Sequence, residues 1–312
     1  MSAVSFIHWN DTPPASARQG SVAIGNFDGV HCGHRALVRQ LRESARAVNG
    51  PAVCLSFDPH PLAVLRPAQF QPVLTTMQRR AELLLAAGAD HVVVLRTTPE
   101  LLQLTAEDFF REVIVDRLQA RAVVEGPNFS FGRDRAGTID TLRNLCGAAQ
   151  IELKILEAAT SPEGKPVSSS RVRAALLEGN IELASELLGR CYALAGTVVK
   201  GAARGRSLGF PTANLEELVV LVPRDGVYAV RASWGKQVWP GAANIGPNPT
   251  FQEQARKFEV HLLDFAGDLY GERLDIEFVA RLRDTRKFAS RDELMEQLGK
   301  DVAEARRLAS QE

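Results

Sequence analysis

The sequence predicts an α/β protein in two parts: a doubly wound parallel sheet over residues 1–185, then a small antiparallel β-barrel with a terminal helix over residues 186–312. Three observations predict this fold class. Short apolar runs alternate with helical patterns as far as Leu188, as strands joined by crossover helices do. After Gly189 the runs alternate apolar with polar residues and are cut at short intervals by glycine and proline, the pattern of a small barrel. Near the end, Leu294, Leu298, Val302 and Ala305 form an apolar stripe at helical spacing, as a helix packed on that barrel requires.

The first strand is Val22-Ala23-Ile24, and Gly25-Asn26-Phe27-Asp28-Gly29-Val30-His31-Cys32-Gly33-His34 follows it. Leu37, Val38 and Leu41 then continue as a helix, so the local reading is strand, tight turn, helix. Gly25 and Gly29 free the backbone for the turn, and Gly33 allows a ligand to approach the main chain. The first turn of a helix presents unpaired N–H groups and a partial positive charge, which favour anions. His31 and His34 lie three residues apart and so share a helix face. Two ionisable donors there suit a phosphate on which charge grows during attack. A lone histidine near a helix start is commonly a cap or a surface residue. The strand and glycine turn ahead of this pair favour the phosphate site.

The next strand is 52–57, and the Asp58-Pro59-His60-Pro61 that follows reads as extended or turning. A helix over 76–87 and a strand over 91–95 come next. A capping box from Thr105 to Asp108 opens a helix through Val113, Ile114 and Leu118. Then come a strand at 122–125, a loop containing Asn128-Phe129-Ser130-Phe131-Gly132, a helix over 138–149 and a strand over 151–156. In such sheets ligands bind at the carboxyl ends of the strands, where the strand order reverses. After a hairpin-like stretch at 160–166 stands Val167-Ser168-Ser169-Ser170-Arg171-Val172-Arg173, at the start of a helix. Three hydroxyls and two arginines there suit a second anion site, whereas simple N-capping needs only one serine.

Residues 181–188 read as a linking helix. Strands are expected at 197–200, 227–231, 258–262 and 274–278, and Ser290-x-x-Glu293 caps the last helix. Between the first two strands lie Gly201, Gly205, Arg206 and Gly209, then Phe210-Pro211-Thr212-Ala213-Asn214. Such a loop wraps phosphates or is a plain flexible connection, and it is not a Walker loop, having no Gly-Lys-Ser/Thr. Thr212 and Asn214 add neutral oxygens of the kind Mg²⁺ accepts beside substrate phosphates. In 258–262 the alternation turns Phe258, Val260 and Leu262 to the core and puts Glu259 and His261 on the opposite face, which periodicity alone reads as a solvent face.

The chain has 312 residues, 45% hydrophobic and 24% charged, with a formal net charge of zero. No charge excess points to nucleic acid, and no apolar run is long enough to span a membrane. The first residues lack a charged n-region and an apolar core, so no signal peptide is expected. Cys32, Cys54, Cys146 and Cys191 are scattered, as in a reduced cytoplasmic protein. The sequence carries nothing that sets an oligomeric state.

Gly-x-Phe-Asp-Gly-x-His-x-Gly-His (25–34), Phe-Asp-Pro-His-Pro (57–61), Asn-Phe-Ser-Phe-Gly (128–132) and the Ser168–Arg173 segment resemble the adenylyltransferase module of the bacterial bifunctional riboflavin kinase/FAD synthetases, within the HxGH nucleotidyltransferases. The motifs at 205–214, 226–228, 243–246, 259–265 and 269–271 resemble the riboflavin kinase module of the same family, in the family's order. Three departures stand out: Pro127 and Thr285 where acidic residues are common, and Ser170 where threonine is usual.

The resemblance implies that ATP phosphorylates riboflavin to FMN and ADP, and that FMN phosphate attacks the α-phosphate of a second ATP to give FAD and pyrophosphate. It implies Glu259 as the base for the riboflavin 5′-hydroxyl, with Thr212 and Asn214 holding Mg²⁺-ATP. The 201–209 loop would cradle the phosphates, together with Phe210 and Pro211 of the same motif. His31 and His34 would stabilise the transferred phosphate. Ser168, Ser169, Ser170, Arg171 and Arg173 would hold the departing pyrophosphate. Gly25, Asn26, Phe27, Asp28 and Gly33 would shape the turn and its ligands, Asn128 would meet a nucleotide or flavin phosphate, and Arg283 would lie near the flavin. The competing readings are one working site out of two, or a flavin-binding or sensing protein without turnover. Both histidines, the Ser/Arg segment, Thr212, Asn214 and Glu259 argue against the latter, which needs no base beside a hydroxyl.

Overall fold

Every residue of strand β2 (Ser21–Ile24) is buried, because the strand runs through the middle of a six-stranded sheet with helices on both faces. The computed structural model describes residues 3–201, 209–248 and 253–310. It divides into two compact units, Met1–Ser168 and Ser169–Glu312.

In the first unit β2 is joined by β1 (Val4–Ile7), β3 (Ala52–Asp58), β4 (His91–Arg96), β5 (Ala122–Glu125) and β6 (Glu152–Ile155). The order is β1-β4-β3-β2-β5-β6 and every pair is parallel. Helix α1 (Cys32–Ala47) buries Leu37, Val38 and Leu41 on one face of the sheet, with Leu84 of α3 (Met77–Ala86) beside them. On the other face α5 (Ala106–Phe109) and α6 (Ile139–Ala148) contribute Phe109 and Leu142 to a second core; α2 (Pro61–Leu65) and α4 (Pro99–Gln103) are single short turns between strands. The chain winds from β2 through β3 to β4, then crosses back to put β5 on the other side of β2. That reversal opens a crevice at the carboxyl ends of β2 and β5. The β2–β5 ladder stops at Val22↔Val123, and beyond it the Ile24 N–H donates to the buried Glu125 Oε1 at 2.6 Å.

Edge strand β1 is an addition to the sequence reading: its four residues are too few to carry a period, and pairing with β4 makes the strand. Residues 58–61 also resolve differently. Strand β3 runs through Asp58, the Asp58–Pro59 bond is cis, and α2 starts at Pro61, where the missing N–H costs nothing. The helix expected through Leu118 is α-helical only to Phe109 and π-helical over Phe110–Arg117. Its cap forms as expected, the Asp108 N–H donating to Thr105 Oγ1 at 3.0 Å.

In the second unit α7 (Ser169–Glu178) and α8 (Ile181–Leu188) pack together, and Gly189 ends α8 in the left-handed conformation. Strands β7 (Tyr192–Val199), β8 (Ala213–Glu216), β9 (Gly226–Trp234), β10 (Gln237–Asn248), β11 (Glu253–Leu262) and β12 (Arg273–Arg283) close in the order β10-β11-β8-β7-β12-β9, antiparallel throughout. Strand β7 is buried at every second residue, the alternation a closed barrel imposes. Phe278 is fully buried, its ring 5.3 Å from that of Tyr228 and 6.0 Å from that of Phe258. Helix α9 (Arg291–Ala309) packs on β9, β10 and β12. Ser290 Oγ caps it, while the Glu293 carboxylate takes the Ala289 N–H instead of completing the box. Strands β8 and β10 are absent from the sequence reading, because one has only four residues and the other carries Pro240 and Gly241.

Candidate active sites

The first site is built on the start of α1. His31 is its N-cap, Nδ1 accepting the His34 N–H at 3.3 Å, so capping and site geometry come from one residue. One turn on, the His34 ring stacks on that of His31, centroids 3.7 Å apart and 14° from parallel. The Phe27 ring meets His34 edge-on at 5.4 Å. A Cβ on Gly33 would stand 3.2 Å from two atoms of the His31 ring, so only glycine fits without displacing it. Gly25 likewise backs onto the Phe27 ring, which a Cβ would meet at 3.3 Å.

Two polar atoms at this crevice are buried with no hydrogen-bond partner, Asn26 Oδ1 and His34 Nδ1. An unsatisfied buried group costs about 1–3 kcal/mol, and such orphans suit a ligand's donors and acceptors. Burial, then the charges of His31 and Arg80, hold the His34 imidazole well below its ordinary 6.5, so it is neutral at pH 7. An unfolded chain takes up a proton at this residue near pH 6.5, whereas the folded chain does so only at lower pH. Between those values the unfolded state holds more protons, so His34 lowers stability as pH falls. Burial raises the Glu125 carboxyl well above the usual range, which adds the opposite slope in wild type and variant alike. His34→Gln is therefore expected to lose less stability than wild type between pH 7.5 and 5.5 in urea titrations; equal losses would remove His34 from the account.

Asp28 is turned inward. Its carboxylate accepts from the Leu74 and Thr75 N–H groups and pairs with Arg80 at 3.0 Å, both side chains nearly inaccessible. Asn128 is exposed in the loop after β5. That loop is pinned by Phe129 stacked on Phe131 at 5.3 Å and by Gly132, whose left-handed φ of 74° lets its backbone press on Ala106. Ser168 is the last residue of the first unit, and Ser169 opens α7 in the second. Ser170 is exposed, Arg171 and Arg173 are half-buried, and Val172 packs inward.

The second site lies on the barrel. Glu259 on β11 stands directly opposite Asn214 on β8 and Asn244 on β10, so the three form one rung across neighbouring strands. His261, two residues on, is used structurally: its Nδ1–H donates to the Pro211 carbonyl at 2.7 Å and its ring edges Phe210. That bond ties the Phe-Pro-Thr segment to β11, with Pro211 and Thr212 exposed and Asn214 half-buried. A Cβ on Gly201 would fall 2.1 Å from Asn214 Nδ2, so the glycine lets the loop backbone cross the Asn214 amide. Beside it is a cavity of about 350 Å³, lined by Gly201, Asn214, Lys200, Arg256 and Lys257 among others. Gly205 and Arg206 lie outside the described residues, and Gly209 takes a left-handed φ of 83°. Arg283 is held by the protein: Nε and Nη2 fork onto the buried Asp301 of α9, Nη2 at 2.6 Å, with Phe288 under the guanidinium. Among the described residues no group of three or more His, Cys, Asp and Glu could hold a metal, but Thr212 and Asn214 offer neutral oxygen donors of the kind a Mg²⁺-nucleotide accepts.

Sequence reasoning cited Asn244 only within the 243–246 motif and gave no role to Glu125 or Arg80. Asn244 gains its place only through barrel register, Arg80 through a partner 52 residues away. Glu125, an acid ending an apolar strand, was the readable signal.

A parallel-sheet unit with paired histidines at its switch-point helix, followed by a barrel carrying a carboxylate–amide rung, has the two-module build that suits an enzyme transferring phosphoryl and nucleotidyl groups. The FAD synthetase family matches residues 14–171 and the riboflavin kinase (Flavokinase) family residues 188–309. The chain is 40% identical over 296 residues to the bifunctional riboflavin kinase/FMN adenylyltransferase of Pseudomonas fluorescens, covering 94% of each chain. It is 33% identical to the protein so described from Bacillus subtilis, covering 99% of each. A solved structure from Streptococcus pneumoniae, described as a macrolide-efflux protein, matches with a TM-score of 0.87 and 33% identity over 98% of this chain and 99% of that one. Among the described residues no helix is long and apolar enough to cross a membrane. The chain belongs to the bifunctional riboflavin kinase/FMN adenylyltransferase family. It makes FMN from riboflavin with ATP, and FAD from FMN.

Proposed function

We propose that the two reactions run at separate sites, adenylylation at His31 and His34 and phosphorylation at Glu259, with the functional division at residues 185/186. The ranges of the two family matches, which flank that division, support it. The observation that carries the adenylylation site is the stacked histidine pair with an orphaned His34 Nδ1 at a helix start. An oxygen of FMN phosphate attacks the α-phosphorus of ATP, the bond to the β-phosphate breaks, and pyrophosphate leaves. The imidazoles donate to the phosphate oxygens on which charge accumulates, so positioning and electrostatics supply the catalysis. Ser168, Ser169, Ser170, Arg171 and Arg173 hold the leaving pyrophosphate; the FAD synthetase match reaches Arg171, which supports giving this segment to the first reaction. Asn128 contacts nucleotide or flavin phosphate from its exposed loop.

At the barrel, Glu259 takes the proton of the riboflavin 5′-hydroxyl as its oxygen attacks the γ-phosphorus, and ADP leaves. Thr212 and Asn214 hold Mg²⁺, which when bound offsets the phosphate charge. The oxygen donor set and the approach of Gly201 to Asn214 support this. Gly201, Gly205, Arg206, Gly209, Phe210 and Pro211 line the nucleotide phosphates, and Arg283 supports the flavin side through Asp301. The substrates are small molecules, with no nucleic acid or membrane partner, a reading supported by the zero net charge. The four free cysteines support a cytoplasmic setting.

A magnesium titration tests the barrel assignment. Thr212→Ala is expected to raise the Mg²⁺ concentration for half-maximal FMN formation by about tenfold, the equivalent of one lost ligand worth ~1.4 kcal/mol. An unchanged requirement would remove Thr212 from the metal site.

A further inference from the structure

The turn that delivers His31 is strained. Phe27, Gly29 and Val30 all have left-handed φ, at 48°, 80° and 41°. Glycine accepts this freely, but a β-branched residue such as Val30 adopts it only where the surroundings over-determine the backbone. The surroundings are a buried polar clamp. Arg80, 3% exposed on α3, donates from Nη2 to Asp28 Oδ1 and to the Thr75 carbonyl, each at 3.0 Å. Asp28, 2% exposed, accepts the Leu74 N–H on both oxygens, at 3.0 and 2.9 Å, and the Thr75 N–H at 3.1 Å. Thr75 Oγ1 donates to Asp28 at 3.2 Å and accepts the Gly29 N–H at 3.1 Å. Arg80 thus grips the strained turn from both ends of one carboxylate-centred network, immediately ahead of the His31 cap.

We propose that Arg80 is a positioning residue for FMN adenylylation, acting through Asp28 and Thr75 to hold the 27–30 turn in the shape that sets His31 and His34 at the crevice. The proposal rests on the assignment of that histidine pair to the reaction. Arg80 touches no reacting atom; its effect reaches the chemistry by geometry, and a misplacement near 1 Å at such a site costs about a hundredfold in rate. Its charge has a second effect. The groups that hold His34 in its neutral form are burial, His31 on its own helix turn, and Arg80 from α3, which is itself paired with Asp28.

The test measures kcat and KM of both activities of the full-length chain for Arg80→Met and Arg80→Lys. Arg80→Met is expected to lower kcat for FAD formation by about a hundredfold with KM for FMN little changed, and to leave riboflavin phosphorylation unchanged. Arg80→Lys keeps the charge but loses the fork. It is expected to lose rate in the same way but less, and it serves as the readout if Arg80→Met does not fold. Unchanged adenylylation in either variant overturns the proposal. So does a rate loss matched by the unfolded fraction in circular dichroism. His31→Asn/His34→Gln in the same assay separates the layers: if that variant makes FAD at near the wild-type rate, the histidine assignment fails; if it does not and the Arg80 variants make FAD at the wild-type rate, only the role of Arg80 fails.

Discussion

Glu259→Gln stops FMN formation from riboflavin while added FMN is still converted to FAD at the wild-type rate. The expected loss is about a hundred- to ten-thousand-fold, the range for removing a positioned general base. The substitution keeps the size of the side chain and leaves in place the backbone ladders that set residue 259 opposite Asn214 and Asn244. What disappears is a carboxylate able to take the proton of the ribityl hydroxyl, so kcat falls more than riboflavin affinity. Chromatography of the flavins after incubation with riboflavin and MgATP reads the first reaction, and the same assay started with FMN reads the second. Retained FMN synthesis would make Glu259 a binding residue.

The converse variant, His31→Asn/His34→Gln, is expected to make FMN normally and to accumulate it. Removing one preorganised donor to a charge-accumulating oxygen costs about a hundred- to a thousandfold, and two are removed here. The choice of asparagine matters. His31 caps α1 through Nδ1, and alanine would cost about 0.5–2 kcal/mol of stability in addition to any chemistry. Asparagine keeps a capping oxygen, so the loss of FAD reads the imidazoles rather than a frayed helix. FAD formed at near the wild-type rate would place the adenylyl transfer elsewhere.

What could be read in advance depended on how local its cause was. The His31–His34 spacing, the strand before it and the start of the helix after it all lie within residues 22–41, and the structure stacks the two rings as that spacing allows. The alternation over 258–262 likewise placed Phe258, Val260 and Leu262 in the core and Glu259 on the other face. Long-range partners were illegible. The Asp28 carboxylate is engaged by groups 46 to 52 residues away, so the sequence could name it as a turn residue but not as the centre of a clamp. Arg283 stands in a motif yet forks onto Asp301, a pairing fixed only when α9 docks on the barrel. Strand β8 shows the same limit: four residues with no period become a strand because β7 and β11 offer them two ladders.

On the proposed assignment one chain carries two independent sites, each lost without the other. Glu259→Gln accepts FMN from solution, and the histidine variant makes FMN it cannot consume, so the two proteins mixed in one tube are the direct measurement. Given riboflavin and MgATP, the mixture is expected to form FAD, whereas neither variant alone does so. A mixture that makes no FAD, although each variant retains its own half-reaction, would contradict two separable sites served by a shared pool of FMN.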